Sequence, residues 1–322
     1  MKFNLINPDL KATREGYGQG LLEAGLKNPH VVALTADLTE STKVSAFKAK
    51  FPDRFFNLGV AEQNMISVAA GLALSGKIPF ASGFAVFSPG RSWEQIRLSV
   101  CYQQANVKIV GTHAGVTTGP DGATHQALED LAITRCLPNL IVISPCDYFQ
   151  AVQATLAAAE YNGPVYLRLF RDKTAIMTNA STKFTLGKAQ IFRKGTDLTI
   201  VSTGPLTFQA LLAAESLQKE NISCEIINLH TIKPLDLPTI LKSVQKTHCL
   251  VTVEEHQLMG GVGSAIVEAL AQAYAAPVTE MIGIKDTFGE SGTAAELLVK
   301  YQLDAPSIVK AAKKVLSRKR RL

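Results

Sequence analysis

The chain has 322 residues, of which 47% are hydrophobic and 19% charged, with a mean hydropathy of +0.13. This composition excludes a disordered chain and a coiled coil, and the length predicts two domains. The net charge of +6 comes from seven basic residues among the last thirteen, which contain no acid: Lys310, Lys313, Lys314, Arg318, Lys319, Arg320 and Arg321. The rest of the chain is nearly neutral. We therefore expect a solvated, frayed helix end there and no nucleic-acid partner.

The cysteine pattern and the N-terminus indicate the compartment. The five cysteines form no CxxC pair, and their odd number argues against a disulfide framework, so reduced thiols in the cytoplasm are expected. Met1–Asn4 is not followed by the apolar run of a signal peptide, so we expect no signal peptide. The longest weakly charged stretch, residues 63–90, is broken by Lys77 and Pro79. We interpret it as a buried helix and strand, not as a membrane span.

Strand-like apolar runs alternate with helical patterns along the chain. In the first half, strands are predicted at 31–36, 78–82, 107–111, 140–144 and 165–169, and helices at 13–26, 61–74, 92–103 and 147–160. A polar stretch, 172–188, is interpreted as a linker. Beyond it, strands are predicted at 198–202, 224–229, 250–253 and 278–283, and helices at 210–218 and 263–274, with two short helices at the end.

This alternation predicts an α/β protein with two doubly wound, mostly parallel sheets. We place the domain boundary at residue 180, giving domains 1–180 and 181–322. A single domain in which 172–188 forms a long surface loop is the weaker alternative, since two sheets of about five strands fit ordinary domain sizes better.

The richest candidate site follows the strand at 107–111. Residues 111–125 contain four glycines, His113, Asp121 and His125, and Val116 is their one bulky apolar residue. Loops at the carboxyl ends of parallel strands are the usual site in such folds. A metal site ranks below substrate binding because no third nitrogen or sulfur ligand lies nearby.

Three further patterns have both structural and functional interpretations. Glu62 opens a helix with an apolar stripe, where a carboxylate is often simply favourable at the helix N-terminus. Phe84 and Phe87 follow a strand and are core residues or, if exposed, stacking residues. Gly260–Gly263 favours close packing of a helix N-terminus, with anion binding second.

Together these motifs resemble the transketolase family of thiamine diphosphate enzymes. The resemblance runs from Arg14 through Thr35-Ala-Asp-Leu38 and Gly59-Val-Ala-Glu-Gln-Asn-Met65 to Asp121-Gly-Ala-Thr-His-Gln126, and on to Val253-Glu-Glu-His-Gln and Gly260-Gly-Val-Gly263. The Asp121–Gln126 segment is the most specific, although Pro120 replaces a usual small or acidic residue. The match covers the pyrimidine-binding and C-terminal domains only. The diphosphate-binding domain and its Gly-Asp-Gly…Asn metal motif are missing, so the chain resembles the C-terminal subunit of a split transketolase.

The resemblance implies roles for individual residues. Glu62 corresponds to the glutamate that shares a proton with N1′ of the aminopyrimidine, and with His113 it is expected to be catalytic. Cofactor binding is implied for Asp37, Glu62, Phe84 and Phe87. Substrate binding is implied for Arg14, Ser41, His113, Asp121, His125 and Arg171. No metal ligand is expected in this chain, and His230, Glu254, Glu255 and His256 are expected to be packing or interface groups.

The implied reaction is transfer of a two-carbon ketol unit from a ketose phosphate to an aldose phosphate. The implied partner is an N-terminal subunit that carries the diphosphate-binding domain and supplies Mg or Ca, with a homodimer of this chain inside a heterotetramer. Two alternatives stay open. One keeps the fold and changes the reaction, to a 1-deoxyxylulose-5-phosphate synthase-like enzyme or a 2-oxo acid dehydrogenase beta subunit. The other is a non-catalytic regulatory scaffold.

Overall fold

The structure is a computed structural model that describes residues 3–320. In the first half the strands are β1 (Leu10–Ala12), β2 (Val31–Thr35), β3 (Phe55–Asn57), β4 (Ile78–Phe84), β5 (Lys108–Thr112), β6 (Ile141–Ile143), β7 (Val165–Arg168) and β8 (Lys173–Ala175). The helices are α1 (Thr13–Lys27), α2 (Ser45–Lys50), α3 (Glu62–Leu74), α4 (Trp93–Gln95), α5 (Asp130–Arg135) and α6 (Tyr148–Glu160). Helix α4 continues as π-helical turns, Ile96–Tyr102.

The second half repeats the alternation. Its strands are β9 (Gln190–Arg193), β10 (Leu198–Ser202), β11 (Cys224–Asn228), β12 (Thr231–Lys233), β13 (Cys249–Gln257) and β14 (Val278–Ile284). Its helices are α7 (Leu206–Gln218), α8 (Leu237–Thr247), α9 (Val262–Gln272), α10 (Ala294–Lys300) and α11 (Ala305–Lys319). The described residues contain no helix that is both long and apolar enough to cross a bilayer.

Two main sheets result, and they confirm the predicted fold class. The first has the order β12-β6-β7-β5-β4-β2-β3, and all of its pairs are parallel except β12 with β6. The second has the order β14-β13-β10-β11-β9, with β9 antiparallel to β11. Strands β1 and β8 form a separate two-stranded ribbon. All five residues of β2 are buried, as expected for a parallel strand covered on both faces.

The two sheets are tied together. Strand β12 belongs to the second half of the sequence but pairs at the edge of the first sheet. One apolar core also includes residues of both sheets, among them Val142 and Ile227. The boundary at residue 180 remains our proposal, and the sheet membership of every strand except β12 supports it.

Some elements differ from the sequence expectations. The predicted linker includes β8, and the final helix, α11, has 15 residues, so it is not short. Helix α8 was missed. Its signal was Asp236, whose side chain accepts a hydrogen bond from Thr239 N–H at 3.4 Å, followed by Pro238 in the first turn, where a missing N–H costs nothing.

Most of the basic residues near the C-terminus belong to helix α11. Helix α11 buries Ile308, Ala311, Ala312 and Val315, and it continues to Lys319. Lys314 and Arg318 both pair with Glu280 at 2.8 Å, and Lys313 pairs with Glu220 at 2.7 Å. The predicted helix end is therefore helical up to Lys319 with most of its basic side chains exposed, and Arg321 lies outside the described residues.

Candidate functional site

The candidate site lies at the carboxyl edge of the first sheet. Strands β5, β4 and β2 are neighbours and parallel, so the loops that follow them open at the same edge. These loops contain Asp37 and Ser41 after β2, Phe87 after β4, and residues 113–125 after β5. Helix α3 begins at Glu62 as predicted, and α1 contributes Arg14.

Glu62 is the buried anchor of a first group of residues. It is 1% exposed, and its Oε2 receives a hydrogen bond from Arg91 Nη1 at 2.7 Å. The Arg91 guanidinium also lies over the ring of Phe87, 4.7 Å from its centroid. Arg91 is half exposed, with 49% of its side chain accessible. We call Glu62, Phe87 and Arg91 the Glu62 cluster: a buried carboxylate and an aromatic face that together hold a planar group bearing N–H donors.

The two phenylalanines are not equivalent. Phe84 is 7% exposed, and the ring of His113 stacks on it with 3.7 Å between ring centroids. Phe87 is half-buried and lies 6.0 Å from Phe84, centroid to centroid. His125 meets Phe87 edge-on at 5.6 Å. Phe87 therefore presents a face that Arg91 now covers and on which another planar group could lie, whereas Phe84 supports His113.

His113 is buried and neutral. Burial, followed by the charges of Arg14 and Arg171, lowers its pKa to about 3. Its backbone has a φ of 60°, and its Nδ1 lies 2.9 Å from Thr112 Oγ1. A neutral imidazole can both donate and accept a hydrogen bond, which suits contact with hydroxyl groups.

A second group of residues surrounds His113 with polar side chains. Arg171 Nε lies 3.7 Å from Asp121 Oδ2, and Arg171 Nη1 donates to Thr118 O at 3.1 Å. Burial and the nearby charge of Arg171 lower the pKa of Arg14. We call this set the arginine cluster: Arg14, His113, Asp121, His125 and Arg171. The fold thus brings together two arginines that are 157 residues apart in sequence.

Ser41 and Asp37 are placed less directly. Ser41 joins the arginine cluster through its backbone, since its carbonyl accepts from Arg14 Nη1 at 2.9 Å. Arg14 Nε is buried and has no hydrogen-bond partner among residues 3–320. Asp37 is exposed and has a φ of 61°; its Oδ1 accepts from Asn57 Nδ2 at 3.0 Å. Asp37 therefore lies at the rim, tied to the segment before α3.

Three of the four groups expected to be packing or interface residues lie at the end of β13. Glu254 accepts the N–H groups of Val262 and Gly263 at 2.6 and 2.8 Å, so the N-terminus of α9 is capped by the protein's own carboxylate. His256 Nε2 accepts from Leu131 N–H at 3.2 Å, which joins the two halves of the chain. The capping of α9 by Glu254 agrees with the interpretation of Gly260–Gly263 as a closely packed helix N-terminus. His230 is also fully buried.

The sequence analysis missed Arg91 altogether, and it did not predict the partner of Glu255. Arg91 follows Phe87 by four residues, and its position beside the aromatic pair was the available signal. Glu255 was expected to be a packing or interface group, and its Oε1 accepts the N–H of Thr117, in the loop after β5, at 2.6 Å. No sequence signal links residues 138 positions apart. Within residues 3–320, no group of three or more His, Cys, Asp or Glu residues is placed to hold a metal ion.

Comparisons with known proteins agree with this architecture. Residues 10–176 match the family model of the transketolase pyrimidine binding domain, and residues 187–308 match that of the transketolase C-terminal domain. The chain is 49% identical over 302 residues to a Methanocaldococcus jannaschii protein named as a transketolase C-terminal section, covering 93% of this chain and 95% of that one. It is 42% identical to a 6-deoxy-6-sulfo-D-fructose transketolase subunit of Clostridium sp., covering 95% of each. A solved split-gene transketolase, an inactive β4 tetramer, superposes with a TM-score of 0.89 and 47% identity over 95% of this chain and 98% of that one.

Proposed function

This chain belongs to the transketolase family, and we propose that it is the C-terminal subunit of a thiamine diphosphate-dependent split transketolase. It would transfer a two-carbon ketol unit from a ketose phosphate to an aldose phosphate. The observation that carries this proposal is the Glu62 cluster. Its buried carboxylate and its aromatic face already hold the planar guanidinium of Arg91, and an aminopyrimidine is likewise planar and bears N–H donors.

The residues of the Glu62 cluster fit one half of the cofactor. When bound, thiamine diphosphate supplies the nucleophilic carbon that accepts the ketol unit. Glu62 would hold and move a proton at N1′, and Phe87 would stack on the pyrimidine ring with Phe84 behind it. The Arg91 guanidinium has to move away from Glu62 before N1′ of the pyrimidine can contact the Glu62 carboxylate. Asp37, at the rim, would belong to the polar network that surrounds the cofactor.

The arginine cluster would bind the sugar phosphate. Arg14 and Arg171 bring two positive charges to one end of the site, and the buried Arg14 Nε has a hydrogen-bond donor to spare among residues 3–320. Neutral His113 and the carboxylate of Asp121 would contact hydroxyl groups, with Ser41 and His125 beside the phosphate. A sulfonate is also an oxyanion that arginine binds. The sulfosugar named for the Clostridium relative is therefore a second donor to test.

The other half of the cofactor site would come from a separate N-terminal subunit that supplies Mg or Ca. The sequence contains no Gly-Asp-Gly motif. Mg and Ca sites both need several oxygen ligands, and Mg demands that they be arranged as an octahedron. We propose a homodimer of this chain within a heterotetramer of two copies of each subunit. All five cysteines are free thiols, which supports a cytoplasmic enzyme.

Donor choice tests the reaction. The complex with the N-terminal subunit is given a ketose phosphate, 6-deoxy-6-sulfo-D-fructose or pyruvate, and an aldose phosphate acceptor. We expect ketol transfer from a phosphorylated or sulfonated ketose and no turnover of pyruvate. Turnover of pyruvate with none of either ketose would contradict the proposal and favour a synthase or decarboxylase.

A further inference from the structure

Glu255 crosses from the second half of the chain into the loop that carries His113. It lies near the end of β13, is 1% exposed, and accepts the backbone N–H of Thr117 at 2.6 Å. Its own backbone carbonyl accepts from Arg168 Nη2 at 2.9 Å, so the strand is fixed at the same point. A hydrogen bond between a carboxylate and a buried amide is among the stronger kinds in proteins.

The loop is shaped to admit this carboxylate. Gly115 has a φ of 78°, and a Cβ built on it would lie 2.1 Å from Glu255 Oε1. Any other residue there would collide with Glu255 and would also be strained in the left-handed region. Glycine at position 115 therefore lets the carboxylate reach the amide of Thr117.

The next residue connects this contact to the arginine cluster. Thr118 Oγ1 donates to the carbonyl of His113 at 2.8 Å, and Thr118 O accepts from Arg171 Nη1 at 3.1 Å. Thr117 and Thr118 thus link Glu255 on one side to His113 and Arg171 on the other. Both His113 and Arg171 belong to the arginine cluster. Among residues 3–320, no residue of the Glu62 cluster forms a hydrogen bond with Thr117 or Thr118.

Burying the Glu255 carboxyl costs free energy of desolvation, which indicates that this side chain has a role besides packing. Desolvation raises its pKa to about 7, against the opposing effects of the hydrogen bond from Thr117 and the charge of Arg168; the charge of Asp172 raises it further. Its Oε2 has no hydrogen-bond partner among residues 3–320. An apolar side chain of similar volume would pack here without a buried carboxyl.

We propose that Glu255 is a positioning residue for substrate binding: it holds the Thr117–Thr118 turn so that His113 and Arg171 keep their places. This deepens the proposed function and rests on it, since it assumes that the arginine cluster binds the sugar phosphate. The C-terminal domain would then contribute to substrate affinity without touching the substrate.

The test compares variants of two neighbouring glutamates. Glu255→Met removes the acceptor and keeps the volume, and Glu255→Gln keeps an acceptor oxygen. Glu254→Gln is the matched control, because Glu254 is equally buried in β13 but caps α9. In the complex with the N-terminal subunit, Glu255→Met should raise KM for the ketose phosphate about tenfold or more, the effect of losing a charge-assisted hydrogen bond. Glu255→Gln should stay within about threefold of wild type. Half-saturation by thiamine diphosphate should not change in any of the three.

Hydrogen exchange of the full chain provides a second readout that needs no substrate. Amides of residues 115–118 should exchange about tenfold faster in Glu255→Met and not in Glu254→Gln. Gly115→Ala, which pushes the loop off the carboxylate from the other side, should reproduce both effects and serves if Glu255→Met does not fold. An unchanged KM in Glu255→Met and Gly115→Ala, or the same KM increase in Glu254→Gln, would overturn the proposal. If the wild-type complex transfers no ketol unit, the proposed function fails, and the exchange data still decide whether Glu255 holds the loop.

Discussion

The Glu62 cluster and the arginine cluster lie at the same edge of one sheet but are built differently. The first is made from α3 and the loop after β4, and its cation, Arg91, is half exposed. The second has a buried His113, and its loop is held by Glu255 from the other half of the chain. The cation on Glu62 thus lies at the surface, whereas the backbone of the loop that carries His113 is held inside the chain. We infer that a partner subunit completes the Glu62 cluster and that substrate affinity resides in the arginine cluster.

The largest expected effect is the loss of ketol transfer when the carboxylate of the Glu62 cluster is removed. Glu62→Gln should reduce ketol transfer by about 10²–10⁴ or more, because the buried carboxylate can no longer hold and move a proton. Circular dichroism and the melting temperature of the full chain should stay close to wild type. Turnover near the wild-type level in the reconstituted complex would remove Glu62 from its assigned role.

Next in size is the loss of an arginine. Arg171→Ala or Arg14→Ala should raise KM about tenfold or more for phosphorylated donors, since each removes a charge-assisted contact. KM for hydroxypyruvate, which has no phosphate, should change much less. Steady-state kinetics with both donors make the comparison. Equal increases for the two would indicate that the arginines serve only structural ion pairs, such as Arg171 with Asp121.

Acid sensitivity sharpens the contrast, because the arginine cluster contains the buried imidazole. The pKa of His113 is about 3 in the folded chain, below its ordinary value near 6.5, so the unfolded state binds the extra proton. Its contribution to stability is fully present above pH 6.5 and is lost as the pH falls towards 3. From pH 6.5 to 5.5, wild type should lose about 1 kcal/mol more unfolding free energy than His113→Gln. Urea titrations at the two pH values measure this, and identical losses would place the imidazole in a solvated environment.

The smallest effect concerns the surface cation of the Glu62 cluster. Arg91→Ala frees Glu62 and Phe87 together, so thiamine diphosphate should bind the reconstituted complex about two- to threefold more tightly, the scale of a half-exposed ion pair. Arg97→Ala, in the π-helical segment and also exposed, is the control and should leave affinity unchanged. Calorimetric titration distinguishes the two. Weaker binding in Arg91→Ala would show that the guanidinium contributes to cofactor binding instead of competing with it.

The sequence was informative where function depends on short motifs. Residues 111–125 pointed to the loop after β5, and the apolar stripe after Glu62 predicted the helix that begins there, because both patterns are local. The pairing of Arg91 with Glu62 depends on how the loop after β4 folds back on α3. The periodicity of apolar residues in the sequence does not predict that contact. The bond from Glu255 to Thr117 spans 138 residues and requires the relative placement of two sheets. The edge strand β12 was unpredictable for the same reason, since its pairing with β6 crosses between the halves of the chain.

The central claim is that this chain holds half of a cofactor site, and reconstitution tests it most directly. Ketol transfer and calorimetric binding of thiamine diphosphate with Mg are measured for the purified chain alone, and then after addition of the candidate N-terminal subunit. We predict no transfer and weak or no binding for the chain alone, and both activities in the complex. Full activity of the purified chain with no other protein present would contradict the account.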